Sequence, residues 1–207
     1  MDRTFVSDIA FTPSVKAVQE KLGSRAGNQK MEERGGWRHS VTDDLAEFLA
    51  TRDSLYLASS NAEGQPYIQH RGGPKGFLVP LDDKRLAFAD FSGNRQYISI
   101  GNFDDNPKAF IFLMDYRNKR RIKIWGDVEV VEDDPELISK LVFDDYQGKV
   151  ERAFIFTIEA WDSNCPQHII QRWSEDEVAP LVDAMKGRID KLELENDALR
   201  AQLADKS

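Results

Sequence analysis

An alternation of apolar and polar residues through the middle of the chain constrains its fold more than any other feature. The segments "SLYLASS", "PYIQHR", "GFLVPL" and "RLAFADF" have the two-residue period of β-strands, and "NAEGQ" and "DDK" separate them as loops of hairpin length. Two longer candidates, "KAFIFLMDY" and "RRIKIWGDVEVVE", follow, and "ERAFIFTIEAW" comes last. The pattern predicts about six strands. We expect an antiparallel barrel, because closure of the sheet removes exposed strand edges.

Helical patterns flank this β-rich region. Residues 1–40 are polar, contain the short helix candidate "SVKAVQEKLG" ending at Gly23, and are interpreted as an arm that packs on another part of the protein. The segment "SVTDDLAEFLATRD" predicts a helix whose start is marked by Ser40 and Asp43. Short helices are also predicted for "RQYISIGNF" and "DPELISKLVFDDY". The predicted organisation is an N-terminal arm with a short helix over 1–40, a barrel over 41–173 and a C-terminal amphipathic or coiled-coil-like helix over 174–207.

The C-terminal segment carries a heptad repeat. Its a and d positions are Val182, Met185, Ile189, Leu192, Asn196, Leu199 and Leu203. A polar Asn at an a position favours a parallel, in-register, two-stranded coil. The flanking charges agree, because Arg188 would face Glu193 of a parallel partner and Glu195 would face Arg200. The alternative is an amphipathic helix that lies on the protein's own barrel.

The composition excludes several classes of protein. Hydrophobic residues make up 41% and charged residues 31% of the chain, as in soluble globular proteins, and no apolar run approaches the roughly 20 residues of a membrane-spanning helix. The net charge of −8 argues against a broad basic face for nucleic acid. The N-terminus lacks a signal-peptide pattern and Cys165 is the single cysteine, so we expect a cytoplasmic protein.

The sequence offers little catalytic equipment of its own. His39, His70 and His168 lie far apart, without the spaced Cys, Asp or Glu partners of a metal site. No P-loop, nucleophile elbow or dinucleotide Gly fingerprint is present. Cys165 could be a nucleophile, although a buried structural thiol is the favoured interpretation. We therefore expect a cofactor to supply the chemistry, while the protein supplies binding and orientation.

Three polar clusters interrupt the β-rich region at corresponding ends of adjacent strands. They are residues 69–73 (QHRGG), 90–92 (DFS) and 93–95 (GNR). Guanidinium groups, together with backbone N–H groups at a Gly-containing turn or a helix start, suit a phosphate monoester. Arg71 and Arg95 meet this description. Further cations on the following strand, namely Arg120, Arg121 and Lys123, could join them; the alternative is that all of these are ordinary surface charges.

The runs "SLYLASSNAEGQPYIQHRGGPKGFL", "RLAFADFSGNRQYISIGN", "NPKAFIFLMDY" and "RRIKIWGDVEV" together resemble the pyridoxamine 5'-phosphate oxidase-like family of FMN-binding split barrels. The segment "WDSNCPQHI" is similar to the C-terminal signature of a bacterial branch of that family. The resemblance covers about residues 40–173. It implies a mainly β fold with flanking helices, built on a six-stranded antiparallel split β-barrel. It also implies a homodimer with two FMN sites at the dimer interface, each built from both chains.

The resemblance further implies the residues of the FMN site. The strand that lines the isoalloxazine in the family falls on Gln69, His70 and Arg71, and the next strand and its exit correspond to Phe88, Ala89, Asn94 and Arg95. Arg121 stands where the family often has a Gln against the flavin, which suits an anionic phosphate or a reduced flavin. Contacts from the partner chain correspond to Gln167, His168 and Arg172. The family's basic pair usually reads Arg-Lys, so this chain retains one of two cations, and Arg71 could compensate.

One departure from the family pattern bears on function. Pyridoxamine phosphate oxidases end in an Arg-x-His pair that binds the phosphate of the substrate, whereas this chain ends in the heptad helix. We therefore expect an FMN-dependent oxidoreductase that acts on a different, unidentified small substrate, with NAD(P)H, a quinone, another flavin or oxygen as redox partner. The alternative is a non-catalytic flavin or haem carrier or sensor, and a deazaflavin is the alternative flavin cofactor.

Overall fold

The computed structural model describes residues 4–144, 146–163 and 166–205, and it is mainly β with flanking helices. In these residues seven strands form one antiparallel sheet in the order β2-β1-β5-β6-β7-β4-β3. The strands are β1 (Ser54–Ser60), β2 (Pro66–Gly72), β3 (Val79–Pro80), β4 (Arg85–Phe91), β5 (Lys108–Asp115), β6 (Arg120–Val131) and β7 (Val150–Ser163).

The sheet differs from the predicted barrel in two respects. It has seven strands rather than six, because the segment "GFLVPL" contributes the two-residue strand β3, which pairs with β4. It is also not closed, since within the described residues no backbone ladder joins the edge strands β2 and β3. The expectation of closure was therefore wrong. One reason is Pro80 on β3, which has no N–H group to donate to a further strand. Within sheets, proline is found mainly on edge strands.

Helices precede, separate and follow these strands along the chain. They are a 3₁₀ helix (Val6–Ile9), α1 (Pro13–Lys21), α2 (Arg25–Glu33), α3 (Asp43–Leu49), α4 (Ile98–Asp105), α5 (Pro135–Lys140) and α6 (Glu175–Ala204). The cap of α3 is Thr42 rather than Ser40, because Oγ1 of Thr42 accepts a hydrogen bond from the N–H of Leu45 at 3.3 Å. The helix α2 was not predicted, since its sequence is polar and Glu32 is its one buried residue.

The hydrophobic core lies on the inner face of the curled sheet. In β5 every second residue is buried, as expected for a strand with one face on the core. The strand β4 is buried over most of its length, because α5 packs near its other side. The N-terminal arm packs on the outer face, where Trp37 stacks on Trp125 with ring centroids 4.6 Å apart. Nε1 of Trp161 donates a hydrogen bond to the carbonyl of Ser40 at 2.7 Å, which fixes the end of the arm.

The described chain divides into two compact units. The first contains the arm and the sheet as far as Gln167, and the second contains the β5–β6 turn, Tyr116–Lys119, and the chain from His168 onward. In the second unit Nη1 of Arg117 donates a hydrogen bond to Oε1 of Glu177 at 2.9 Å, in the first turn of α6. Of the helices in the described part of the chain, none combines the length and the apolar character needed to cross a membrane.

Candidate functional site

A cleft opens where the polar clusters of β2 and β4 meet. Gln69 and Arg71 lie on the inner face of β2, because their register partners on β1 are the core residues Leu57 and Leu55. The cleft has a volume of about 200 Å³. Its lining consists of Tyr67, Gln69 and Arg71 from β2, Asp90 and Phe91 from β4, Gly93–Ile100, and Glu151 of β7.

Charged side chains bridge the open side of the sheet beside this cleft. Arg71 donates a hydrogen bond from Nη1 to Oδ1 of Asp90, and Arg152 donates from Nη1 to Oδ2 of Asp90 at 2.9 Å. Asp90 is only 5% exposed. Burial lowers the pKa of Arg152, but the hydrogen bonds and charges of Asp90 and Glu132 raise the pKa above its ordinary value overall. Two guanidinium groups thus share a single buried carboxylate.

Arg71 has one buried donor without a protein partner. Its Nε is inaccessible to solvent and has no hydrogen-bond partner among the described residues, while its guanidinium lies over the ring of Phe154 at 5.1 Å. A buried donor without a partner costs on the order of 1–3 kcal/mol.

The loop that leads from β4 into α4 has an unusual backbone. Arg95 and Tyr97 have φ angles of 60° and 54°, in the left-handed region that residues other than glycine seldom adopt. Oδ1 of Asn94 accepts a hydrogen bond from the N–H of Gln96 at 3.2 Å, which stabilises the turn between them. Strained backbone of this kind concentrates at functional sites.

The N-terminus of α4 faces the same cleft. Its N-cap residue, Tyr97, makes no side-chain cap, so the first N–H groups of the helix have no partner within it. Residues 98–100, the first turn of α4, line the cleft. The partial positive charge of a helix N-terminus favours an anion. Oγ of Ser99 also donates a hydrogen bond to Oε1 of Gln69 at 3.0 Å, which joins α4 to β2.

Two positive and two negative side chains line the cleft, but the opposite charges are not all paired. Arg71 is paired with Asp90, and Glu151 lies 3.7 Å from Arg152. Arg95 is exposed and forms no ion pair with any described residue. The uncompensated positive charge of the cleft therefore lies at Arg95, beside the start of α4. This arrangement can bind a small anion through one guanidinium and backbone N–H groups.

The structure brings together four of the predicted site residues and separates others from them. Gln69, Arg71, Asn94 and Arg95 all line the cleft. Phe88 and Ala89 do not line it, because β4 is buried on both faces at these positions and Phe88 packs between Phe77 and Phe154 in the core. Their assignment to the cofactor stays a prediction.

His70 and Arg121 lie on the outer face of the sheet. The pleat turns His70 away from its neighbours Gln69 and Arg71, and its ring packs edge-on against Tyr56 of β1, with centroids 5.6 Å apart. Tyr56 is opposite Phe112 in the β1–β5 register, and Arg121 is opposite Met114, two residues further along β5 on the same face. Large apolar side chains are exposed on this face, including Tyr56 and Ile68.

The predicted C-terminal contacts fall in different parts of the chain. Gln167 is exposed at the end of the first unit. In the second unit His168 is exposed with a φ angle of 62°, and the guanidinium of Arg172 lies over the ring of Tyr116 at 4.6 Å. Cys165 lies outside the described residues. Among the residues that the structure describes, no group of three or more His, Cys, Asp or Glu side chains could hold a metal ion.

Sequence reasoning missed the partners that shape the cleft. Asp90 belonged to a predicted cluster, but its ion pairs with Arg71 and Arg152 were not anticipated, nor was the role of Ser99. A signal was available for Asp90, because it continues the apolar strand "RLAFADF", where a carboxylate can be buried only with a partner. No comparable signal marked Ser99.

Comparison with known proteins identifies the family of the chain. The family model described as pyridoxamine 5'-phosphate oxidase matches residues 41–170. Distant structural likenesses include HupZ of Group A Streptococcus, at 19% identity over 64% of this chain and 99% of that one with a TM-score of 0.49. An FMN-binding protein from Syntrophomonas wolfei matches at 13% identity over 73% and 97%, with a TM-score of 0.48.

A third likeness is HutZ of Vibrio cholerae, a haem storage protein, at 16% identity over 56% of this chain and 87% of that one, with a TM-score of 0.38. No curated protein matches the sequence. The family match spans well over half of the chain and contains every strand of the sheet. The chain therefore belongs to the pyridoxamine 5'-phosphate oxidase family.

Proposed function

We propose that this protein is a homodimeric flavoprotein whose cleft binds the phosphate end of FMN. The observation that carries the proposal is the convergence of Arg71, Arg95 and the uncapped N-terminus of α4 in one cleft. Guanidinium groups and the free N–H groups of a helix start are donors that suit a phosphate monoester. The family membership supports the choice of cofactor.

The charge pattern assigns different roles to the two arginines. Arg95 carries the uncompensated charge and would make the main electrostatic contact with the phosphate. Arg71 is held by Asp90 and its Nε is buried, so it would contribute less to the phosphate contact. Gln69, oriented by Ser99, would present its amide group beside them, where the ribityl chain or the ring begins. Binding of the phosphate thus rests on Arg95 more than on Arg71.

The size of the cleft supports a site that a second chain completes. A volume of about 200 Å³ is small beside the roughly 300–1,000 Å³ of pockets that enclose a whole ligand of this size. We propose that the outer face of β2, β1 and β5 is the homodimer interface. It exposes Tyr56 and Ile68, and it carries His70 and Arg121 beside them. These last two residues would contribute to the site at the interface, as Gln167, His168 and Arg172 would from the partner chain.

We propose an oxidoreductase activity on a small substrate. A bound flavin supplies hydride or electron transfer. The chain itself therefore needs to bind and orient the reactants and to exclude water, more than to supply a side chain that exchanges protons. Arg121 would stabilise negative charge on a reduced ring, and the cleft residues would hold the phosphate. The acceptor or donor would be NAD(P)H, a quinone, another flavin or oxygen. The substrate would differ from pyridoxamine phosphate, because Glu175–Ala204 form the heptad helix α6 and this segment contains no Arg-x-His pair of the kind those oxidases use. The single cysteine fits a cytoplasmic setting.

The first experiment is the visible absorbance spectrum of the purified protein and the mass of the ligand that heat releases. We expect a yellow protein that releases FMN at about one per chain, or a colourless one that takes up added FMN at that ratio. A deazaflavin or haem spectrum would show that the protein binds that cofactor instead of FMN. Failure to bind any of the three would overturn the proposal. Reduction by NADH or NADPH followed by re-oxidation supports an enzyme, whereas a bound flavin that no donor reduces supports a carrier or sensor.

A further inference from the structure

The helix α6 carries an apolar stripe along one side, at the a and d positions of its heptads. Apart from Asn196, these positions are Val182, Met185, Ile189, Leu192, Leu199 and Leu203. Within the second unit, the first five of these side chains are 40–59% exposed. An isolated helix gains most of its stability from packing of such a face. The stripe therefore indicates a partner helix.

We propose that α6 pairs with α6 of a second copy of this chain as a parallel, in-register, two-stranded coiled coil. Charges on either side of the stripe fit this occupant. In a parallel pair Arg188 at g faces Glu193 at e of the partner helix, and Glu195 at g faces Arg200 at e. Two-fold symmetry doubles both pairs, so four opposite-charge contacts flank the stripe.

Asn196 determines the orientation. An antiparallel pair that aligns Ile189 with Leu192 also brings opposite charges together, so charge alone does not choose between the two. That alignment, however, places Asn196 against Met185, where its amide group would be buried without a hydrogen-bond partner, which is unfavourable. In the parallel register Asn196 meets Asn196 of the second copy, and the two amide groups can hydrogen-bond to each other.

The residues that weaken a helix lie away from the stripe. Pro180 and Gly187 both fall at f positions, opposite the a and d side. The missing N–H of Pro180 and the low helix propensity of Gly187 therefore do not interrupt the contact between two helices. Leu194, also at an f position, is exposed and is not explained by this pairing.

Disulfide trapping in the full-length chain tests the proposal. In a Cys165→Ser background, Asn196→Cys places one cysteine at an a position, and Ala201→Cys places one at an f position as the matched control. Under oxidised glutathione we expect N196C to form a covalent dimer in most of the chains and A201C to form little. Leu192→Cys, at a d position, is the second reporter in case N196C folds poorly, and it should behave like N196C.

Two results would overturn the proposal. One is that N196C and L192C link no faster than A201C. The other is that N196C links only when mixed with Met185→Cys, which would indicate the antiparallel pair. A charge exchange adds an independent readout: Arg188→Glu should slow the trapping of N196C several-fold, and Glu193→Arg added to it should restore the rate. Failure of that rescue would contradict the parallel register. None of these readouts depends on a bound flavin.

Discussion

Arg71 on the edge strand β2 forms an ion pair with Asp90 on β4, next to the opposite edge of the sheet. Two side chains thus join the ends of a sheet that no backbone ladder closes among the described strands. The same guanidinium lines the cleft beside Arg95 and leaves its Nε without a partner. The gap between the two ends of the sheet therefore coincides with the candidate phosphate site. The buried carboxylate of Asp90 links the strands on either side of it.

Asp90→Asn should lower the free energy of unfolding by about 3 kcal/mol, because it removes the negative charge that two largely buried arginines share. Denaturant unfolding followed by far-UV circular dichroism measures the change. Asp82→Asn is the matched control, since Asp82 pairs with Arg85 at the exposed start of the same strand and should contribute little. A loss for Asp90→Asn no larger than for the control would mean that the ion pairs do not hold the sheet.

Arg95→Ala should weaken FMN binding roughly 10- to 150-fold, which corresponds to about 1.5–3 kcal/mol for a charged hydrogen bond to the phosphate. Fluorescence titration of the apoprotein with FMN measures the affinity. Arg34→Ala, which removes an exposed arginine from the N-terminal arm, should leave the affinity unchanged. Riboflavin, which lacks the phosphate, should bind both variants and the unaltered protein with similar affinity. Equal FMN affinity in Arg95→Ala and the unaltered protein would remove Arg95 from the site.

Ile68→Asp should weaken FMN binding at least about tenfold without unfolding the barrel, because a charge in the proposed homodimer face opposes the burial of its apolar side chains. Ile68 is 61% exposed on the outer face of β2, so the single chain tolerates the change. Val18→Asp, at an exposed apolar position of α1, is the control. An unchanged FMN affinity in Ile68→Asp would separate the cofactor site from this face.

Gly126→Ala should destabilise the protein by about 1–3 kcal/mol, the usual cost of overpacking. A Cβ atom at Gly126 would lie 2.0 Å from the carbonyl oxygen of Thr157 and 2.5 Å from a ring carbon of Phe156. The β6–β7 register shifts at this glycine, so the close approach is part of the bulge. Gly27→Ala in α2 meets nothing within 4 Å and should be neutral or slightly stabilising. Thermal melts that show no difference between the two variants would refute the steric argument.

The N-terminal arm should lose stability in acid. A hydrogen bond and the charge of Lys16, together with hydrogen bonds from the backbone N–H groups of Phe5 and Thr4, outweigh the opposing effect of burial and hold the pKa of Asp8 below its ordinary value of 3.8. The stabilisation is therefore complete above that value and is lost as the pH falls below it through the folded-state pKa. Unfolding midpoints at pH 6 and pH 3 measure the effect. Asp8→Asn should shrink the difference between the two pH values, whereas Glu20→Gln on exposed α1 surface should not.

The sequence alone determined most of the elements and the location of the candidate site along the chain. Two-residue periodicity identified the strands because most of them have one face on the core, and the first hairpin formed in the expected place. The heptad pattern identified the long helix α6, since its spacing depends only on helical geometry. Arg71 and Arg95 were selected for their chemistry and Gln69 and Asn94 through the family resemblance, and all four line one cleft.

Tertiary structure decided what those residues can do. Because side chains alternate along a strand, His70 lies on the opposite face of β2 from Arg71. The pairing of β4 with β7 places Arg152 beside Asp90. Only the folded chain shows that Asp90 pairs with Arg71 and that Arg95, in the same cleft, pairs with no described carboxylate. The open sheet also becomes visible only in the folded chain, because closure depends on the distance that strand twist leaves between the two edge strands. These outcomes depend on contacts between residues distant in the chain, which local patterns do not specify.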